Sequence, residues 1–75
     1  MKEIHPEMLK QLKNYYTPGT RVVLIKMDDP YTKLKPGDKG TVVSVDDIGT
    51  IHVKWDSGSS LGVAFGEDIC RKISE

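Results

Sequence analysis

Gly40-Thr41-Val42-Val43-Ser44-Val45-Asp46-Asp47-Ile48-Gly49-Thr50-Ile51-His52-Val53-Lys54-Trp55-Asp56-Ser57-Gly58 decides the fold. It reads as two adjacent β-strands, 40–46 and 50–56, joined by Asp46-Asp47-Ile48-Gly49 and followed by the tight turn Asp56-Ser57-Gly58. The second strand alternates. Ile51, Val53 and Trp55 fall on one side and His52, Lys54 and Asp56 on the other, the pattern of an antiparallel strand with one dry and one wet face. Its glycines read as turn residues. Trp55 shares the parity of Ile51 and Val53, so its ring belongs to the core, with the N–H edge expected at a rim where a ligand can reach it.

Around this pair the chain breaks into short apolar runs separated by turn signals. Arg21-Val22-Val23-Leu24-Ile25-Lys26 is a β-branched run bounded by Thr17-Pro18-Gly19, hence a strand, although its two parities are equally apolar. Ser59 to Phe65 alternates through Leu61, Val63 and Phe65, Gly66-Glu67-Asp68 reads as a tight turn, and Ile69 to Ile73 as a last strand. Between the first strand and Gly40 runs a loop, Met27 to Lys39, punctuated by Pro30, Pro36 and Gly37. A loop of that length in a compact domain is a candidate functional segment. Pro6 to Tyr15 reads as a short helix, with Pro6 and Glu7 at its start and Lys10 and Lys13 toward its end. Met8, Leu9, Leu12 and Tyr16 form its apolar stripe, which either caps an open end of the sheet or docks a partner chain. The expected architecture is mainly β, a five-stranded barrel or sandwich (17–75) preceded by a helix (1–16), together one domain.

Composition narrows the function classes. The 75 residues hold 11 Lys and Arg against 11 Asp and Glu, so there is no overall basic excess of the kind a dedicated nucleic-acid binder carries. The single cysteine, Cys70, excludes an internal disulfide and a cysteine-rich zinc site, and fits a reducing compartment. No apolar run reaches membrane-spanning length, and Met-Lys-Glu-Ile-His-Pro lacks the apolar core of a signal peptide. A cytoplasmic protein without membrane contact is expected.

Pro36-Gly37-Asp38-Lys39-Gly40-Thr41-Val42 followed by Val53-Lys54-Trp55-Asp56-Ser57-Gly58-Ser59 resembles two groups of SH3-like barrels. One is the KOW type of ribosomal and transcription-elongation proteins; the other is the mind-bomb type. Over Gly19 to Arg71 the chain more closely resembles an uncharacterised family, a domain of unknown function in small proteins of phages, mobile elements and gut Firmicutes. Gly19-Thr20-Arg21-Val22, Met27-Asp28-Asp29-Pro30-Tyr31, Gly40-Thr41-Val42 and Gly49-Thr50-Ile51-His52-Val53-Lys54-Trp55-Asp56-Ser57-Gly58-Ser59-Ser60-Leu61-Gly62 carry the resemblance. It implies a small SH3-like barrel in which the loop after the first strand lines a ligand groove. It implies no activity, because fold alone supplies none.

Asp28, Asp29 and Tyr31 are therefore the candidate ligand contacts, with Trp55 at the rim. Adjacent carboxylates suit a basic peptide, and Tyr31 offers a flat ring with a polar tip. Asx-type turn bonds beside Pro30 are the competing role for the aspartates. A KOW-like RNA or DNA binder would use Lys33, Lys35, Lys39 and Lys54 as phosphate contacts. The family's genomic associations suggest a third role, a phage or mobile-element accessory protein that inhibits or sequesters a component of host defence. No catalytic constellation emerges. Ser59 and Ser60 lack a nucleophile elbow, His5 and His52 lack metal-ligand partners, Gly37 and Gly40 lack phosphate-loop spacing, and Cys70 reads as half-buried and inert. The expectation is a non-catalytic binding module without metal or cofactor, engaging a protein or peptide through the 27–39 loop.

Overall fold

A computed structural model describes residues 4–28 and 31–73 of the chain. Its elements are α1 (Pro6–Tyr15), β1 (Arg21–Lys26), β2 (Lys39–Val45), β3 (Ile51–Trp55) and β4 (Ile69–Lys72). The strands form one antiparallel sheet in the order β3-β2-β1-β4. The protein is thus mainly β with one short helix, and its sheet has four strands where the sequence suggests five.

The difference lies in 59–65. The Trp55 backbone N–H donates to the Ser59 carbonyl (2.8 Å), and Ile51 and Val63 exchange both backbone bonds (2.9 and 2.8 Å), leaving one isolated bridge rather than a ladder. At Ala64 the chain turns away. The N–H groups of Glu67 and Asp68 fold back to the Ala64 carbonyl (3.1 and 3.0 Å), and Ala64's own N–H goes to Asp68 Oδ2 (3.0 Å). Of the alternating residues Leu61, Val63 and Phe65 only Val63 is buried, and the backbone donors that a strand needs are taken by the turn.

Two irregularities bend the sheet. β1 and β4 slip register between Leu24 and Lys26, and β2 and β3 between Val42 and Ser44. Each bulge leaves an apolar residue, Ile25 and Val43, on the surface at 44% and 56% exposure. The inner face resolves the ambiguous parity of β1. Val22 and Leu24 are buried with Val42, Ile51, Val53, Trp55, Val63 and, from the long loop, Leu34.

Helix α1 has Glu7 in its first turn and Lys13 in its last, matching its dipole. His5 caps it, its Nδ1 accepting the Glu7 N–H at 3.1 Å. The expected apolar stripe divides. Leu12 and the adjoining Tyr16 pack against the core, whereas Met8 is exposed and Leu9 lines a shallow outer hollow with Pro6 and Lys10. Three polar contacts accompany the packing. Lys13 Nζ donates to Asp47 Oδ1 (2.6 Å), Tyr16 Oη donates to the Cys70 carbonyl (3.4 Å), and the Lys72 ammonium lies 5.0 Å from the centre of the Tyr15 ring. The first pair is solvent-exposed and contributes little. No helix among the described residues is long and apolar enough to cross a membrane.

Candidate functional site

The segment from Met27 to Asp38 is held at its entry, middle and exit. At the entry, Met27 packs against the core and the Asp28 N–H donates to Asp68 Oδ1 at 2.8 Å. Asp68 Oδ2 meanwhile accepts from Ala64, so one carboxylate ties the loop to the 64–68 turn. In the middle, Leu34 is 7% exposed and enters the core, its N–H accepted by Thr32 Oγ1 (3.2 Å). At the exit, Asp38 Oδ2 accepts the Lys35 N–H (3.0 Å) while the Asp38 N–H returns to the Lys35 carbonyl (3.0 Å). Leu24 then bonds both sides of this turn, donating to Asp38 O (2.8 Å) and accepting from Gly37 N (2.7 Å). These are side-chain-to-backbone bonds of the kind that fix a turn, here at Asp28 and over 32–38.

Tyr31 projects between the first two anchors with 92% of its surface exposed, and Asp28 is exposed beside Asp68. Asp29 lies outside the described residues. Trp55 does not join them. It is 1% exposed, and its Nε1–H is consumed by the Leu61 carbonyl at 2.8 Å, so the rim position expected of it is corrected to a core position. The four lysines divide between two places. Lys33 and Lys35 are on the loop, while Lys39 and Lys54 project from the outer face of the sheet.

Folding also gathers acids that are scattered in sequence. Gly49 takes a positive φ of 85° and lies against Phe65, so close that a β-carbon there would sit 3.1 Å from Phe65 Cβ. The Asp46–Gly49 turn therefore neighbours the 64–68 turn, to which Asp28 is tied. Asp46, Asp47, Glu67 and Asp28 end up around one end of the molecule. Asp46 has its own structural work. Its Oδ1 accepts the N–H groups of Ile48 (3.2 Å) and Thr50 (2.9 Å), and its Oδ2 lies 2.8 Å from His52 Nε2. Desolvation pushes its pKa up, but the bonds from His52, Thr50 and Ile48 outweigh this and hold it below the ordinary carboxylate value. The stabilisation is therefore present above the unfolded carboxylate pKa and is lost as pH falls through the lowered one.

A cleft of about 140 Å³ separates α1 from the 63–70 segment, lined by Leu12, Tyr16, Ile51, Val63, Phe65 and Cys70 among others. Burial pushes the Cys70 thiol up to about 11, and burial, with the neighbouring Cys70 and Tyr15, pushes Tyr16 up to about 12. Both stay protonated at neutral pH, which leaves the thiol a weak nucleophile. Among the described residues no three His, Cys, Asp or Glu side chains gather to hold a metal ion. What the loop offers chemically is an exposed aromatic ring, Tyr31, with the Asp28 carboxylate on one side and Lys33 and Lys35 on the other.

Asp68, which the sequence reading left inside a tight turn, is the residue that positions this surface. Replacing it with alanine removes the acceptor for two backbone donors, so Asp68→Ala is expected to cost about 2 kcal/mol. Hydrogen exchange at Asp28 and Ala64 should accelerate together; unchanged protection at both amides would show that the staple is dispensable. No linear signal marks this role, because its partners lie 40 and 4 residues away.

Neither the curated proteins nor the solved structures contain a match to the chain. A protein-family model does match, over residues 5–73, and so takes in helix α1 as well as the sheet. The chain belongs to the family described as a domain of unknown function, DUF4314.

Proposed function

We propose that the chain is a non-catalytic binding module that holds a basic, extended segment of a protein partner against the 27–38 loop. The observation that carries this reading is Tyr31, 92% exposed on a loop whose flanks are fastened to the core and to the 64–68 turn. An exposed aromatic on a preorganised loop costs little entropy when a partner covers it. Asp28 and Glu67 supply negative charge that attracts Lys or Arg side chains, whereas Asp47 is already paired with Lys13 and Asp46 with His52. A partner's cation pairs with Asp28 while its apolar neighbour lies on the Tyr31 ring. An SH3-like reading of the scaffold fits the same picture. What supports it is an antiparallel sheet with two bulges, which bend strands, and the Ile51–Val63 bridge beyond β3.

An array of Lys- and Arg-containing peptides, probed with the whole chain, tests the proposal. Selected peptides should bind about tenfold or more weakly to Tyr31→Ala and several-fold more weakly to Asp28→Asn, at unchanged melting temperature. Wild-type affinity in both variants, or no basic peptide retained at low salt, would overturn it.

A further inference from the structure

The outer face of the sheet has a charge pattern that the neutral total conceals. In β-ladders, directly paired residues share a face, so register alone places them. Arg71 of β4 pairs with Val23 of β1, and Val23 with Lys39 of β2. Arg21 of β1 pairs with Thr41 of β2, and Thr41 with Lys54 of β3. Both rows lie opposite the buried Val22, Leu24, Val42 and Val53. With strands about 4.8 Å apart, the two cations of each row stand about 10 Å apart, and the rows themselves about 7 Å apart. The acid seated among them is Asp56, which holds Arg21 in a two-pronged bond (2.8 and 2.7 Å) while Arg21 also donates to Thr41 Oγ1 (3.0 Å). The bond from Arg21, aided by its charge and that of Lys39, keeps the Asp56 carboxyl below its usual range. Among the described residues of these two rows, four cations thus stand around one carboxylate, Asp56.

We infer that this face docks the phosphate backbone of duplex nucleic acid. The side chains between the cations favour that partner over a protein. Val23, Thr41 and Val43 offer no aromatic anchor, and lysines are depleted at the centres of protein interfaces. The same lack of aromatics disfavours a single strand, whose bases need rings on which to stack. Beyond Lys54 the face continues into a shallow depression bordered by Val43, His52, Gly58 and Ser60, where the Ser60 hydroxyl adds a polar partner for phosphate oxygens. Recognition of this kind is independent of base sequence, because nothing on the face reaches into a groove. The surface is separate from the Asp28 and Tyr31 loop, so either assignment can fail alone.

Fluorescence anisotropy of a labelled 20-base-pair duplex, titrated with the whole chain across a range of salt, is the test. Three to four phosphate contacts predict a slope of log K against log salt near −3. Lys39→Glu, Lys54→Glu and Arg71→Glu should each weaken binding several-fold and flatten that slope by about one, and the triple variant should abolish binding without changing the melting temperature. Lys33→Ala with Lys35→Ala, on the loop, should leave the slope unchanged, and so should Asp28→Asn with Tyr31→Ala. The inference is overturned by absence of binding at the lowest salt or by full binding in the triple variant. Tighter binding to the single strand overturns it too, as does equal binding to phosphatidylserine vesicles or polyglutamate.

Discussion

Trp55→Ala is expected to lose about 3–5 kcal/mol, the usual cost of emptying a large aromatic site in a core. A domain of this size has a total stability of about 4–11 kcal/mol, so the variant should lose a large share of it, and all of it at the lower end of that range. Two roles combine in this one residue. Its ring is the largest fully buried side chain and fills the inner face of β3. Its N–H reaches the Leu61 carbonyl, fastening 59–63 to the sheet where the ladder is sparse. Trp55→Phe separates the two roles. It keeps an apolar ring but leaves the carbonyl without its donor and a cavity where the second ring was, for about 2 kcal/mol. Urea denaturation followed by circular dichroism measures both. If Trp55→Ala keeps a cooperative transition within about 1 kcal/mol of wild type, the indole is not what holds this core together.

The same residue marks how far the sequence could be read. Alternation assigned Ile51, Val53 and Trp55 to the core correctly because side-chain parity is local. It also proposed a strand at 59–65, where the hydrogen bonds go elsewhere and only Val63 is buried, and no pattern of apolar residues records where an N–H points. The apolar stripe of α1 was legible as a stripe. Which of its members reach the sheet depended on the approach of the helix, and that selected Leu12 and Tyr16 over Met8. Among the candidate contacts, Asp28 and Tyr31 are exposed on the loop. Trp55 failed as a contact because its polar edge found a carbonyl inside the protein.

Charge was the least legible property. Equal numbers of acids and bases look like a uniformly solvated surface, yet segregation depends on pairings such as Arg71 with Val23 and Val23 with Lys39. Asp68 is invisible for a related reason: its carboxylate spans a loop and a turn far apart in sequence. The scaffold is read mainly from local periodicity. The surfaces are made by non-local register, so they appear only once the strands are aligned.

Gly40→Ala is expected to destabilise the protein by about 3 kcal/mol, the upper end of ordinary overpacking. Gly40 opens the Gly-Thr-Val run and reads as a turn glycine, but it lies inside β2, paired with Val22 on one side and Trp55 on the other. A β-carbon there would meet Val53 Cγ1 at 2.6 Å, the Lys54 carbonyl oxygen at 2.9 Å and Trp55 Cε3 at 2.9 Å. The requirement is therefore space rather than backbone conformation. The neighbours cannot yield cheaply, because Val53 and Trp55 are both buried and the Lys54 oxygen belongs to the β3 backbone. Gly37→Ala provides the contrast. That glycine has open space around it but a φ of 99°, so its alanine variant is strained by conformation alone and should cost about 1 kcal/mol. Thermal melts of the two variants distinguish the causes, since overpacking between β2 and β3 should also disturb the near-ultraviolet signal of Trp55, whereas strain at residue 37 should not. A Gly40→Ala protein as stable as Gly37→Ala, with an unaltered tryptophan signal, would mean that the close approach of β2 to Trp55 relaxes freely.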